Sequence, residues 1–272
     1  MGKGYAMNNI CQWIRERKSV RSFDGKTPEN ALLEELLHGG SDNPYEIPVS
    51  FRLLRAEEHG LICPVVSGTE LYIGGKLPKG PHANEAFGYS FERLVLRAQS
   101  LGLRTVWLGG TMNRSAYEKA MELGSDEMMP CATPIGYGAK KMSVRESIMR
   151  KAIRADERLP FSSLFFRDSF DNPLTPEEAG VLSEALEMVR LAPSAVNRQP
   201  WRVLLRNGAA HFYLKRAKAF GGGDLDMQRI DMGIALCHFE LAAGEAGLQP
   251  RFTLSDPGLL ADGLEYIASY IM

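Results

Sequence analysis

Two stretches of the chain are apolar at most positions over several helical turns: FGYSFERLVLRAQSLGL (Phe87–Leu103) and MGIALCHFELAAGEAGL (Met232–Leu248). Both predict long buried helices, and each ends in Gly-Leu, where glycine supplies the left-handed residue that stops a helix. ICQWIRERKS, PENALLEELLHG and PEEAGVLSEALEMVRLA carry one apolar face each and predict amphipathic helices. SFRLLRAEE, ELYIGG, WRVLLRNG and AHFYLK are short runs rich in branched and aromatic residues and predict strands. Helices alternating with a few strands imply an α+β fold with helices around a central sheet.

The pattern occurs twice. The two long helices align without a gap: Gly88 falls on Gly233, Leu96 on Leu241, Ala98 on Ala243 and Gly102-Leu103 on Gly247-Leu248, all 145 positions apart. SFRLL (Ser50–Leu54) aligns with PWRVLL, and RKS (Arg17–Ser19) with RDS (Arg167–Ser169), at an offset of 150. Their order and near-constant spacing divide the chain into pseudo-repeated halves, 1–150 and 151–272, joined near KAIRADERLPFSSLFF (Lys151–Phe166).

Composition narrows the function. The chain's 272 residues are 44% hydrophobic, enough for a sizeable core, and a net charge of -1 excludes nucleic acid as the main partner. Any anion site is therefore local. Cys11, Cys63, Cys131 and Cys237 are dispersed without CxxC or zinc spacing, and the chain start has no signal-peptide apolar core, which points to a reducing cytoplasm. No apolar run is long enough to span a membrane. GxGxxG and HExxH are absent, and the GKT at Gly25–Thr27 has Val20 where a phosphate loop needs glycine.

Two segments carry the candidate chemistry. If RKSVRSF (Arg17–Phe23) is extended, Arg17, Ser19 and Arg21 share a face, and two guanidiniums with a hydroxyl suit a phosphate. APSAVNRQPW (Ala192–Trp201) places turn formers and amides between an apolar helix and an apolar strand. Taken singly, the first also describes a solvated basic turn and the second an ordinary helix break. RKSVRSF, PSAxNxQPW, a helix ending Gly-Leu and TVWLGG (Thr105–Gly110) together resemble the flavin-dependent nitroreductase family, over most of both halves. The resemblance is closest to the subgroup in which two family-like units are fused.

That resemblance implies a nitroreductase-like fold closing as an internal pseudodimer, with FMN at the interface and NADH or NADPH as electron donor. It implies an oxidoreductase acting on nitroaromatics, quinones or other electron-poor small molecules. The alternatives are a flavin-binding protein without turnover, or another flavin reaction on the same fold. Arg17, Lys18 and Ser19 would hold the phosphate, with Lys140, Lys141 or Arg145 closing the far side. Arg21 would lie near the pyrimidine edge. Pro193, Ser194, Ala195, Asn197 and Gln199 would approach ribityl or ring atoms, and the backbone of Leu108, Gly109 and Gly110 would face the flavin.

The reciprocal site reads as lost, since Asp168 and Asp171 stand where cations are needed and Ile47 takes the place of Asn197. One site per chain on a pseudodimeric monomer follows, with further dimerisation left open. Trp107 and Trp201 read as core, and so does His238, inside a buried helix. His82 is the other candidate proton donor. The substrate face would be shaped by Gly74–Ala86 or Lys218–Arg229, and no dedicated catalytic acid, base or nucleophile is identified.

Overall fold

The computed structural model describes residues 9–38, 42–217, 224–259 and 262–272. The first half runs α1 (Ile10–Glu16), α2 (Asn30–Leu37), β1 (Ser50–Arg55), α3 (Ala56–His59), β2 (Leu71–Pro78), α4 (Ala83–Ser100), α5 (Arg114–Ala120), β3 (Glu127–Met128), β4 (Ala132–Pro134) and α6 (Val144–Ala152). The second runs β5 (Phe165–Arg167), β6 (Ser169–Pro173), α7 (Pro176–Ala179), α8 (Ser183–Leu191), β7 (Trp201–Arg206), β8 (Ala209–Lys215), α9 (Met227–Glu245), β9 (Arg251–Thr253) and β10 (Leu264–Ile271).

Each half builds its own sheet around the same antiparallel trio, β1-β2-β4 in the first and β7-β8-β10 in the second. The second sheet is extended by β9 on one side and, on the other, by β5 running parallel to β7 with β6 folded back on it. Between the sheets lie α4 and α9, buried along most of their length.

The two long helices cross at the aligned glycines. A Cβ on Gly88 would lie 2.1 Å from the Ile230 carbonyl oxygen, and one on Gly233 would lie 2.0 Å from that of Glu85. Ile230 is itself 145 positions after Glu85, so the contact is reciprocal, as in an interface between two copies of one surface. Both helices also stop alike: Gly102 (φ 76°) and Gly247 (φ 82°) turn left-handed, and the next residue's N–H reaches back to Ala98 and Ala243 respectively, each at 2.9 Å.

Three segments depart from the expected pattern. AEE, expected to continue a strand, turns helical as α3 and ends at left-handed Gly60. PEEAGVLSEALEMVRLA is not one helix: α7 opens on a Thr175–Glu178 capping box, Gly180 (φ 56°) ends it, and a single 3-10 turn precedes α8. RDSFD folds as the β5–β6 hairpin, whereas RKSVRSF is an extended segment bridged to Thr105, so the two do not occupy equivalent places. Among the described residues no helix is long and apolar enough to cross a membrane.

Candidate functional site

RKSVRSF leaves α1 and is gripped along its length. Ser19 bridges Thr105, Val20 N–H donates to the Thr105 carbonyl at 2.9 Å, and Phe23 bridges Gly138. Helix α6 docks on the segment from the other side. Ser143 caps it by accepting from Glu146 N–H at 3.1 Å, and Ser143 N–H donates to Ser22 Oγ at 3.0 Å. Glu146 and Arg150, four residues apart on one helix face, then take the Arg21 N–H (3.0 Å) and donate to the Ser19 carbonyl (3.1 Å).

APSAVNRQPW leaves α8 and makes a 3-10 turn at Ala195–Asn197. Val196 (φ 44°), Asn197 (φ 57°) and Gln199 (φ 50°) are all left-handed, a costly conformation for a β-branched residue and one that clusters at functional loops. Ser194 Oγ accepts from Gln199 N–H at 2.8 Å, and the Ala195 N–H donates to both carboxylate oxygens of Asp231, at 3.0 and 3.2 Å. Burial, opposed by that N–H, holds the Asp231 carboxyl well above the usual carboxylate range.

The two segments meet. Arg17, Lys18 and Ser19 line a cavity of about 70 Å³ together with Pro193, Ser194 and Asn197, and Arg150, Asp156 and Arg158 complete its wall. Four cationic side chains therefore face one carboxylate. Arg17 is 9% exposed, yet its Nε and Nη1 have no hydrogen-bond partner, nor has Arg158 Nε. Burial lowers the Arg17 guanidinium's proton affinity, with Glu92 opposing and Arg150 adding to the effect. Burial and then Arg17 and Arg190 do the same to Arg158. Arg150 is paired with Asp156, but Arg17 and Arg158 repel each other and keep buried donors unused, and with the exposed Lys18 beside them they form a cradle suited to an anion.

The joint between the halves forms one side of this cradle. Asn197 Nδ2 donates to the carbonyls of Arg154 (2.6 Å) and Glu157 (2.9 Å), Leu159 N–H donates to Gln199 Oε1 (2.9 Å), and Arg158 donates to the carbonyls of Ala155, Glu157 and Leu191. The amides expected to face a ligand are thus already partnered by the chain's own backbone.

Other predicted positions are placed elsewhere. Arg21 is not in the cradle wall, its backbone tied to Glu146 and its charge facing that residue. Lys140 lines an adjoining opening with Lys18, Ser19 and Arg150, while Lys141 is exposed and Arg145 donates to the Pro64 carbonyl. Helix phase explains this: Arg145 is one residue off the face that carries Glu146 and Arg150. Leu108 is buried and paired with Ala132; Gly109 lies under Met227, whose Cε would be 2.6 Å from an added Cβ, and Gly110 is open. Met227 and Asp231, one turn apart on α9, connect this glycine pair to Ala195.

Gly80–Glu85 and Asp224–Arg229 meet around a separate cavity of about 520 Å³, and residues 218–223 of the second predicted loop lie outside the described residues. His82, left-handed at the start of α4, stacks on Tyr45 there. Trp201 is fully buried, and Trp107 packs edge-on against Phe91 at 4.6 Å. His238 is buried between the Met188 carbonyl (2.8 Å) and Glu92 (3.0 Å). In the reciprocal region Arg167 pairs with Glu178, and Asn43 Nδ2 donates to the Ile47 carbonyl to close its own turn. Sequence patterns missed Arg150, Arg158 and Glu92; an α6 phase count from Ser143 would have found the first.

Residues 9–243 match the family described as "Putative TM nitroreductase". No curated protein matches the chain. Among solved structures, a putative nitroreductase from Thermotoga maritima is similar over 100% of this chain and 96% of its own, at 20% identity and a TM-score of 0.63. A putative NADH dehydrogenase/NAD(P)H nitroreductase from Bacteroides thetaiotaomicron aligns over 50% of this chain and 90% of its own, at 20% identity and TM-score 0.43. An FMN-dependent nitroreductase from Clostridium difficile aligns over 51% and 94%, at 16% identity and TM-score 0.37.

Proposed function

Since the chain belongs to the nitroreductase family, we propose that it is an FMN-dependent oxidoreductase that takes electrons from NADH or NADPH and passes them to nitroaromatics, quinones or other electron-poor small molecules. The observation that carries the reading is the anion cradle, assembled from both halves around buried guanidinium donors with no partner.

The residues fit the phosphate end of FMN. Arg17, Lys18, Ser19 and Arg150 would hold it, with Arg158 reaching in from the joint. A bound phosphate dianion would relieve the repulsion among these cations and satisfy the unused donors. Bound FMN supplies the hydride chemistry, while the protein supplies position and field. Gly110, with open space where a Cβ would be, permits close approach of its backbone to a planar ring. Arg21 keeps a buried Nε without a partner, a donor available to a polar ring edge. Ser194 shapes the loop through Gln199, and Asn197 ties the 154–157 backbone to it, so this chain's amides hold the two walls of the site together.

Anaerobic addition of NADH or NADPH to the flavin-loaded protein tests the assignment. Bleaching of the flavin faster than that of free FMN is expected. A yellow protein inert to both nucleotides would instead support a flavin-binding protein without turnover.

A further inference from the structure

Glu92 lies on α4 with no exposed surface, and three groups from separate parts of the chain converge on its carboxylate. His238 Nε2, from α9, is 3.0 Å from Oε1; the Trp107 indole N–H donates to Oε2 at 3.0 Å; Arg17 Nε is 3.7 Å from Oε1. His238 Nδ1 faces the Met188 carbonyl at 2.8 Å. A carbonyl only accepts, so Nδ1 carries a proton, and the contact of Nε2 with a carboxylate oxygen is a hydrogen bond to a charged Glu92 only with a second proton on Nε2, the imidazolium form. A charge this deeply buried persists only when paired and hydrogen-bonded, and here the partners come from both halves.

Two of those partners lead to the proposed cofactor site. Arg17 lines the anion cradle, and Trp107 immediately precedes Leu108–Gly110. We propose that Glu92 is a positioning residue for flavin binding: it holds Arg17 from behind, leaving the unpartnered Nη1 for the phosphate, and His238 fixes the carboxylate from the second half. This rests on the flavin reading. The physical need is plain, since Arg17, Arg150 and Arg158 crowd a cavity of about 70 Å³ and, without a buried counter-charge, the shortest relief is for Arg17 to swing away. Glu92 itself does not line the cavity, so its effect passes through Arg17.

The test compares FMN with riboflavin, which lacks the phosphate, as ligands of the full chain. Glu92→Gln keeps the shape and an oxygen for Trp107 while removing the charge that faces Arg17. It is expected to weaken FMN about tenfold, the loss of one charge-assisted contact, leave riboflavin within about twofold, and add nothing further to Arg17→Lys. Equal weakening of both flavins, no change in either, or fully additive losses would overturn the proposal. Should Glu92→Gln not fold, His238→Asn must show the same phosphate-dependent loss, and its absence overturns the proposal equally. A wild-type chain that binds neither flavin overturns the flavin reading instead. Glu92 is then judged by calorimetry with inorganic phosphate, whose binding must fall in Glu92→Gln if the positioning role is right.

Discussion

Asp231 shows how a single side chain can set a pH dependence. The residue is 3% exposed, and burial raises the proton affinity of its carboxyl well above that of an unfolded aspartate, near 3.9. The unfolded chain therefore releases this proton first. Between about pH 4 and the folded value, the native state binds more protons than the unfolded one, so the group's contribution is present at low pH and lost as pH rises. We expect Asp231→Asn, which retains an oxygen for the Ala195 N–H, to remove that downward slope in denaturant titrations from pH 5 to 9; an unchanged slope would place the proton elsewhere. At this scale the sequence is readable where a site is a local string, as with Arg17-Lys18-Ser19 and Pro193-Ser194 with Asn197, which the fold brings to one cavity. It is opaque where a partner arrives by docking. Arg158 and Glu92 lie in no motif and acquire their neighbours only when the joint folds onto the loop and α4 meets α9.

The helix crossing makes a sharper demand on its element than any hydrophobic pattern. Gly88 and Gly244 both lie inside helices, but a Cβ on Gly88 strikes a carbonyl at 2.1 Å while one on Gly244 meets nothing within 4 Å. Gly88→Ala should lower stability by about 2–3 kcal/mol, since backbone cannot yield as a side-chain tip does. Gly244→Ala should raise it by about 0.5–1 kcal/mol through helix propensity alone. Urea midpoints of the two variants must move in opposite directions. Both long helices and their stops were readable, because apolar runs and terminal glycines are local features. The break at Gly180 was not, because the same residues suit one helix or two, and only the fold sets Gly180 at φ 56° to divide them.

Across the whole molecule, both contributions to the anion cradle lie on one chain, so flavin retention should not require a second copy. Light scattering with flavin absorbance on the same peak is expected to give one FMN per chain, retained on dilution because the halves are tethered. Two flavins per chain, or flavin lost as an assembly dissociates, would contradict it. The repeat of the two long helices and their sheets was evident from spacing; the different placement of RDSFD was not, since matching RKS to RDS says nothing about which neighbour each finds. The reciprocal crossing of α4 and α9 also bears on synthesis. Residue 88 leaves the ribosome 145 residues before residue 233, a delay of roughly 7–30 s at ordinary translation rates. For that interval the flank of α4 that packs on α9 is uncovered by it, while β2, α1 and α2 are already made. An assembly of two separate chains would wait for a diffusing copy, for a time that depends on its abundance. Here the wait is set by the ribosome.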